Sequence, residues 1–217
     1  MNAYRQIALL GTVVVIATQL FSQSPSSATA DPNSTATPEW SFLFTTSGYI
    51  VPHDRSYVSP TLGVDRRKLH LEARYNYEDQ ETGSLWAGYN LGLGEKVVLE
   101  LTPIVGGVFG KTAGIAPGYE MSVTWKKFAL SSDGEYVFDA RDHNNSFFYS
   151  WNELTYSPAD WLRIGMVSQR TRAYHTSLDI QRGLLLGFSH TRLDFTTYVL
   201  NAGWTDPTVV LSIGYRF

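Results

Sequence analysis

The sequence contains no cysteine. Disulfide staples, thiolate metal sites and a cysteine-anchored lipoprotein are therefore excluded. Charge is scarce as well. Asp, Glu, Lys and Arg make up 17% of the chain, against roughly 25% in ordinary soluble domains. No polybasic surface emerges, so nucleic acid is not an expected partner. No long apolar run follows residue 30, so no later segment can span a bilayer as a helix. Walker, dinucleotide and G-x-S-x-G fingerprints are missing too. No cofactor is expected, and no metal-ligand set is assigned.

What is present is aromatic content, 14% of the chain, and alternation. In "KLHLEARYNYE", Lys68 to Glu78, the residues Leu69, Leu71, Ala73, Tyr75 and Tyr77 share one parity, and His70, Glu72, Arg74 and Asn76 share the other. That is a β-strand with one apolar and one charged face. In a soluble sandwich the apolar face would be the core. In a membrane barrel it would face lipid, and the charged face would line a wet lumen.

Residues 1–30 read as a secretory signal peptide. Arg5 supplies the positive end, "IALLGTVVVIATQLF" (Ile7 to Phe21) the apolar stretch, and Ala28-Thr29-Ala30 an A-x-A cleavage site. The apolar stretch is shorter than the ~20 residues of a spanning helix. Without Arg5, 16 of the 17 basic residues remain against 20 acidic ones, a balance of −4. Residues 31–39 form a short polar lead-in to a single domain at 40–217.

From Trp40 onward, strand-length segments are separated by Gly, Asp, Asn, Pro and Ser. The expected strands are 40–50, 56–63, 67–78, 84–92, 96–109, 114–126, 128–138, 146–157, 161–173, 179–189, 193–203 and 207–217. The fold class is all-β, an antiparallel up-and-down transmembrane β-barrel of about twelve strands, with ten as the alternative. The weakest strand is "YVSPTLGV", because Pro60 cannot donate to a ladder. Short links near Asp65-Arg66, "LGLGEK", Lys126-Lys127, "SPAD" and "SHTR" fall on the side of the termini. The longer "DQETG", "DARDHNN" and "YHTSL" fall on the other, outer side.

The chain ends "TVVLSIGYRF", with Leu211, Ile213, Tyr215 and Phe217 at every second position. This resembles the C-terminal strand of bacterial outer-membrane β-barrel proteins, a porin-like class. The resemblance implies that these four residues serve as an insertion signal for the barrel-assembly machinery, and that the protein resides in the outer membrane among its lipids. The remaining aromatics fit that reading. Trp40, Trp125, Phe128, Tyr156, Trp161 and Phe188 fall near the ends expected on the periplasmic side, where rings with polar tips form a girdle at headgroup level.

The charged face must then look inward, because a basic side chain facing lipid at the midplane costs ~2–4 kcal/mol. Candidate lumen-lining residues are His70, Glu72, Arg74, Asn76, Glu100, Glu120, Arg163 and Arg216. Twelve strands ~4.8 Å apart and tilted ~40° enclose a backbone diameter of roughly 24 Å. Mixed charges can line a narrow channel for small polar solutes, or form a salt-bridged plug in a closed barrel. His70 and Glu72, about 7 Å apart along one face, could also support a metal or a base and its orienter. No nucleophile, base and orienter assemble from the sequence, so the expectation is a channel rather than an enzyme. A closed structural barrel or an outer-rim hydrolase is the alternative.

Overall fold

In a computed structural model, residues 39–51, 55–173, 179–203 and 207–217 are described. The expected signal peptide, the lead-in up to residue 38 and the "YHTSL" link at 174–178 lie outside them. The strands are β1 (Ser41–Ile50), β2 (Tyr57–Arg66), β3 (Leu69–Tyr75), β4 (Thr82–Tyr89), β5 (Leu91–Leu93), β6 (Val97–Gly110), β7 (Gly114–Trp125), β8 (Phe128–Asp139), β9 (Phe147–Ala159), β10 (Leu162–Ala173), β11 (Asp179–His190), β12 (Leu193–Leu200) and β13 (Thr208–Arg216). Every neighbouring pair is antiparallel. β1 pairs with β13 (Phe44↔Tyr215), and β4 pairs with β6 (Trp86↔Gly106), so the sheet closes on itself. β5 continues β4 past Asn90 in one register on β6 (Gly88↔Ile104, Leu91↔Leu101). The barrel therefore has twelve staves, one of them interrupted. Closure leaves no sheet edge, the condition for strands to cross hydrocarbon.

The weakest expected strand is borne out, and another ends early. "YVSPTLGV" is a full stave, β2. Pro60 faces Thr46 of β1, while the ladder to β3 begins only at Thr61↔Arg74. The missing N–H therefore falls just beyond the β3 ladder, where Ser59 Oγ bonds Tyr75 O at 3.1 Å instead. β3 stops at Tyr75 rather than residue 78, because Asn76 turns the chain at φ 55°.

The termini and the shortest links share one end. Four of these links are two residues long, and in three of them the first residue is at positive φ: Arg67 at 56°, Lys126 at 55° and Thr191 at 55°. At this end the outer surface carries exposed aromatics: Trp40, Trp125, Phe128, Tyr156, Trp161, Phe188, Tyr215 and Phe217. Phe128 lies 5.0 Å from Tyr156, and Trp161 stacks on Phe188 at 6.2 Å. Arg66 sits over Trp40 at 5.0 Å, and Lys126 over Trp125 at 4.9 Å. Cations over ring faces in one band are what a headgroup layer favours. Away from the band the outer surface stays apolar. Leu85, Leu184 and Ile115 are 61%, 62% and 64% exposed. Water does not tolerate an apolar belt of that extent on a monomer. Hydrocarbon does.

Candidate functional site: the lumen

β3 places its parities as the alternation requires. His70, Glu72 and Arg74 are buried in the barrel, and Leu69, Leu71 and Tyr75 are exposed outside. Arg74 is the hub. Its guanidinium bonds Glu72 on its own strand (Nε to Oε2, 2.7 Å), Glu120 on β7 (3.3 Å) and Glu135 on β8 (3.0 Å), and Glu78 lies at 3.8 Å. Tyr77 covers it at 4.1 Å and Trp86 at 4.5 Å. β8 lies four staves from β3 around the ring, so the Arg74–Glu135 bond is a chord across the lumen.

Tyr77 corrects the expectation that it faces hydrocarbon. With β3 ended at Tyr75, the link 76–81 folds into the barrel instead of standing outside it. Tyr77, Glu78 and Asp79 are all buried, and the Tyr77 ring meets Tyr149 of β9 edge-on at 6.3 Å. Glu78 accepts from Ser84 Oγ (2.6 Å) and Trp86 Nε1 (3.2 Å), and Asp79 accepts from Thr112 Oγ1 (3.0 Å). Burial pushes the Glu78 carboxyl above its ordinary range, while Arg74, Ser84 and Trp86 pull it back. Asn76 is not on the inward face. Its Nδ2 donates to Val58 O at 2.9 Å and its Oδ1 accepts from Glu81 N at 2.8 Å, pinning the link from outside.

Towards the terminal end, the lumen holds a cavity of about 500 Å³ lined in part by Asp65, His70, Glu100, Glu120 and Arg216. Four sequence candidates therefore share one chamber. Asp65 Oδ1 meets His70 Nδ1 at 2.9 Å and accepts from Asn90 Nδ2 at 2.7 Å. Glu100 accepts from Ser122 Oγ at 3.2 Å. Arg163 lies apart, buried on β10, and its terminal nitrogens donate to both oxygens of Asp194 (3.0 and 3.2 Å) and to Thr196 Oγ1 (2.7 Å).

Beyond the hub two apolar clusters fill much of the inward face, with Glu153 buried beside them, accepting from Trp151 Nε1 at 2.9 Å. Tyr49, Tyr149, Trp151, Val167, Leu185, Tyr198, Leu200 and Val210 make one cluster, and Trp86, Ile104, Val108, Ala116 and Val137 another.

Several residues of the site were not found from the sequence. Glu135 and Glu153 lie in "GEYVFD" and "SFFYSWNELTY", where aromatics on both faces mask the parity. Carboxylates at 133, 135 and 139 on one parity of β8 were the available signal. Glu78 and Asp79 sit in a link, where alternation gives no direction.

No protein-family model matches the chain, and no curated protein matches its sequence. Solved structures do match its fold. The KdgM porin aligns with a TM-score of 0.58 at 11% identity, covering 81% of this chain and 99% of that one. The KdgM porin in complex with disordered oligogalacturonate gives 0.58 at 10% identity over the same shares. The outer membrane protein OpdK of Pseudomonas aeruginosa gives 0.44 at 10% identity, covering 78% of this chain and 61% of that one. The chain has the fold of porin-like outer-membrane barrels.

Proposed function

We propose that this protein is a narrow outer-membrane channel for small polar solutes, with a preference for cations. The observation that carries the reading is the charge of the inward face. Among the described residues, Glu72, Glu78, Asp79, Glu135, Asp139 and Glu153 are buried inside, against Arg74 and Arg163 as buried arginines. Around the cavity Asp65, Glu100 and Glu120 are matched by Arg67, Lys68 and Arg216, so the negative excess lies with the buried carboxylates. Clefts lined by one sign of charge concentrate ions of the other sign. Oligogalacturonate, the ligand in the KdgM complex, is a polyanion, and this lumen has the wrong sign for it. On this reading His70, Glu72, Arg74, Glu120 and Arg216 act by hydration and charge selection. Leu211, Ile213, Tyr215 and Phe217, outward on the closing strand, serve the assembly machinery.

Planar bilayers test the reading. Purified protein in a KCl gradient should give discrete steps with a reversal potential on the cation side. Replacing Glu100 and Glu120 together by Gln should move that potential towards zero. Silence at every voltage, or anion preference, would overturn it.

A closed barrel with a structural role is the second reading. The Arg74–Glu135 chord and the Tyr77–Tyr149 contact favour it. The same recordings separate the two, because a closed barrel is silent. For the hydrolase alternative, no histidine ring among the described residues hydrogen-bonds a serine hydroxyl, the pairing a serine nucleophile needs.

A further inference from the structure

We infer that His70, Glu72 and Glu120 form a binding site for a divalent transition-metal ion where the cavity meets the Arg74 hub. Each residue offers one ligand atom, and these atoms lie within 4.8 Å of one another. A tetrahedral ion with N and O donors at ~2.0–2.2 Å holds neighbouring donors about 3.4 Å apart. Closing the remaining gap takes a rotation of the Glu120 carboxylate, whose side chain reaches the cavity and is not fully enclosed.

Unsatisfied buried atoms give an independent reason. His70 Nε2 is buried and has no hydrogen-bond partner among the described residues, and Glu72 Oε1 is in the same position. The His70 side chain is 6% exposed and that of Glu72 1%. An unpaired buried acceptor or donor costs ~1–3 kcal/mol, so two in one cluster call for a ligand. Asp65 supplies the orientation. Its contact with Nδ1 at 2.9 Å orients the ring so that Nε2 faces Glu120 Oε2 at 3.8 Å. A carboxylate behind the imidazole is the usual outer partner of a metal-bound histidine. Asn90 holds Asp65 in turn, and Thr102 Oγ1 donates to Asn90 Oδ1 at 2.7 Å.

Arg74 is the obvious objection, being a cation beside two of the ligands. It takes Oε2 of Glu72 and Oε1 of Glu120, so the other oxygen of each carboxylate remains. Glu135 and Glu78 engage the guanidinium as well. Four carboxylates around one arginine leave an excess of negative charge that a divalent ion balances. One imidazole nitrogen with two carboxylate oxygens suits zinc, cobalt or nickel better than calcium or magnesium, which prefer all-oxygen shells. The cavity, which both His70 and Glu120 line, supplies the approach. This site does not depend on conduction, so a silent barrel leaves it standing.

Cobalt titration of the folded full-length protein in detergent, read by visible absorbance and followed by zinc competition, tests the inference. Saturable one-to-one binding is expected. His70→Ala should abolish it, Glu120→Gln should weaken it at least ~10-fold, and Asp65→Asn should weaken it ~10- to 100-fold by removing only the orienting partner. Glu100→Gln, in the same cavity but outside the triad, should leave the affinity within about threefold if the site is specific. Folding of each variant is read from its mobility in unboiled SDS samples. If His70→Ala does not close the barrel, Glu120→Gln and Asp65→Asn decide. No saturable binding, equal loss in Glu100→Gln, or unchanged affinity in the folded triad variants would overturn the inference.

Discussion

The two regions of the lumen obey the same inward alternation, yet they solve different problems. Towards the termini, Asp65, His70, Glu100, Glu120 and Arg216 surround a cavity. Towards the far end, Trp151 packs edge-on against Tyr198 at 5.2 Å, with Leu200 and Val210 buried around them. Strand alternation decides only that a residue faces inward. Whether the interior is wet or packed depends on which side chains meet at each height. Arg74 stands at the seam, with carboxylates on the cavity side and the Tyr77 and Trp86 rings over its faces.

The largest effect should come from cutting that seam. Arg74→Ala leaves Glu72, Glu78, Glu120 and Glu135 without their shared cation. Removing one partner of a buried pair costs about 3–5 kcal/mol, and here several partners are stranded at once. Urea unfolding of the detergent-folded barrel should show at least that loss. A loss below about 1 kcal/mol would mean the hub is hydrated and screened. On the packed side, Leu200→Ala removes a side chain that is 1% exposed, and should cost about 2–4 kcal/mol in the same assay. A negligible cost would show that the far half is as wet as the cavity, and the contrast between the halves would fall.

The sequence revealed some staves better than others. On β3, β6 and β7 single charges sit between apolar neighbours, as at Glu100 between Leu99 and Leu101, so their direction could be read. On β8 and β9 the inward set includes Val137, Tyr149 and Trp151, while Tyr136 and Phe148 occupy the other parity. Large apolar residues on both faces erase the alternation. That loss was itself the sign of a packed interior, but sequence alone does not separate it from a bulge. Tyr77 was misplaced for a different reason. Its parity was correct for a strand two residues longer, and only the left-handed turn at Asn76 shows that the strand has ended. The inward fold of the link then follows from partners remote in sequence, Thr112 and Tyr149 among them.

Glycines on β6 sharpen the comparison at smaller cost. A Cβ on Gly106 would lie 2.4 Å from the Trp86 ring, whereas one on Gly107 would meet nothing within 4 Å. Trp86 cannot simply move aside, because it covers Arg74 and donates to Ser84 Oγ at 2.9 Å. Overpacking of this kind costs about 1–3 kcal/mol. Gly106→Ala should therefore lower the urea midpoint, and Gly107→Ala, one residue away on the outer face, should leave it nearly unchanged. Equal effects would mean that the Trp86 stack is loose.

Asn76→Gly should have the smallest effect, and it asks what holds the inward link. Glycine keeps the φ of 55° without strain and loses only the two side-chain bonds to Val58 O and Glu81 N. Both are exposed, so their loss should cost about 0.5–1 kcal/mol. If those bonds alone kept Tyr77 and Glu78 inside, single-channel records of this variant would show more frequent or larger openings. The link has stronger anchors, however. Glu78 binds Ser84 at 2.6 Å, Asp79 binds Thr112 at 3.0 Å and Lys111 at 3.2 Å, and Tyr77 lies on the Arg74 guanidinium. Conductance and its fluctuations should therefore match the unsubstituted protein. A marked rise would shift control of the lumen from the Arg74 hub to the outer end of the link.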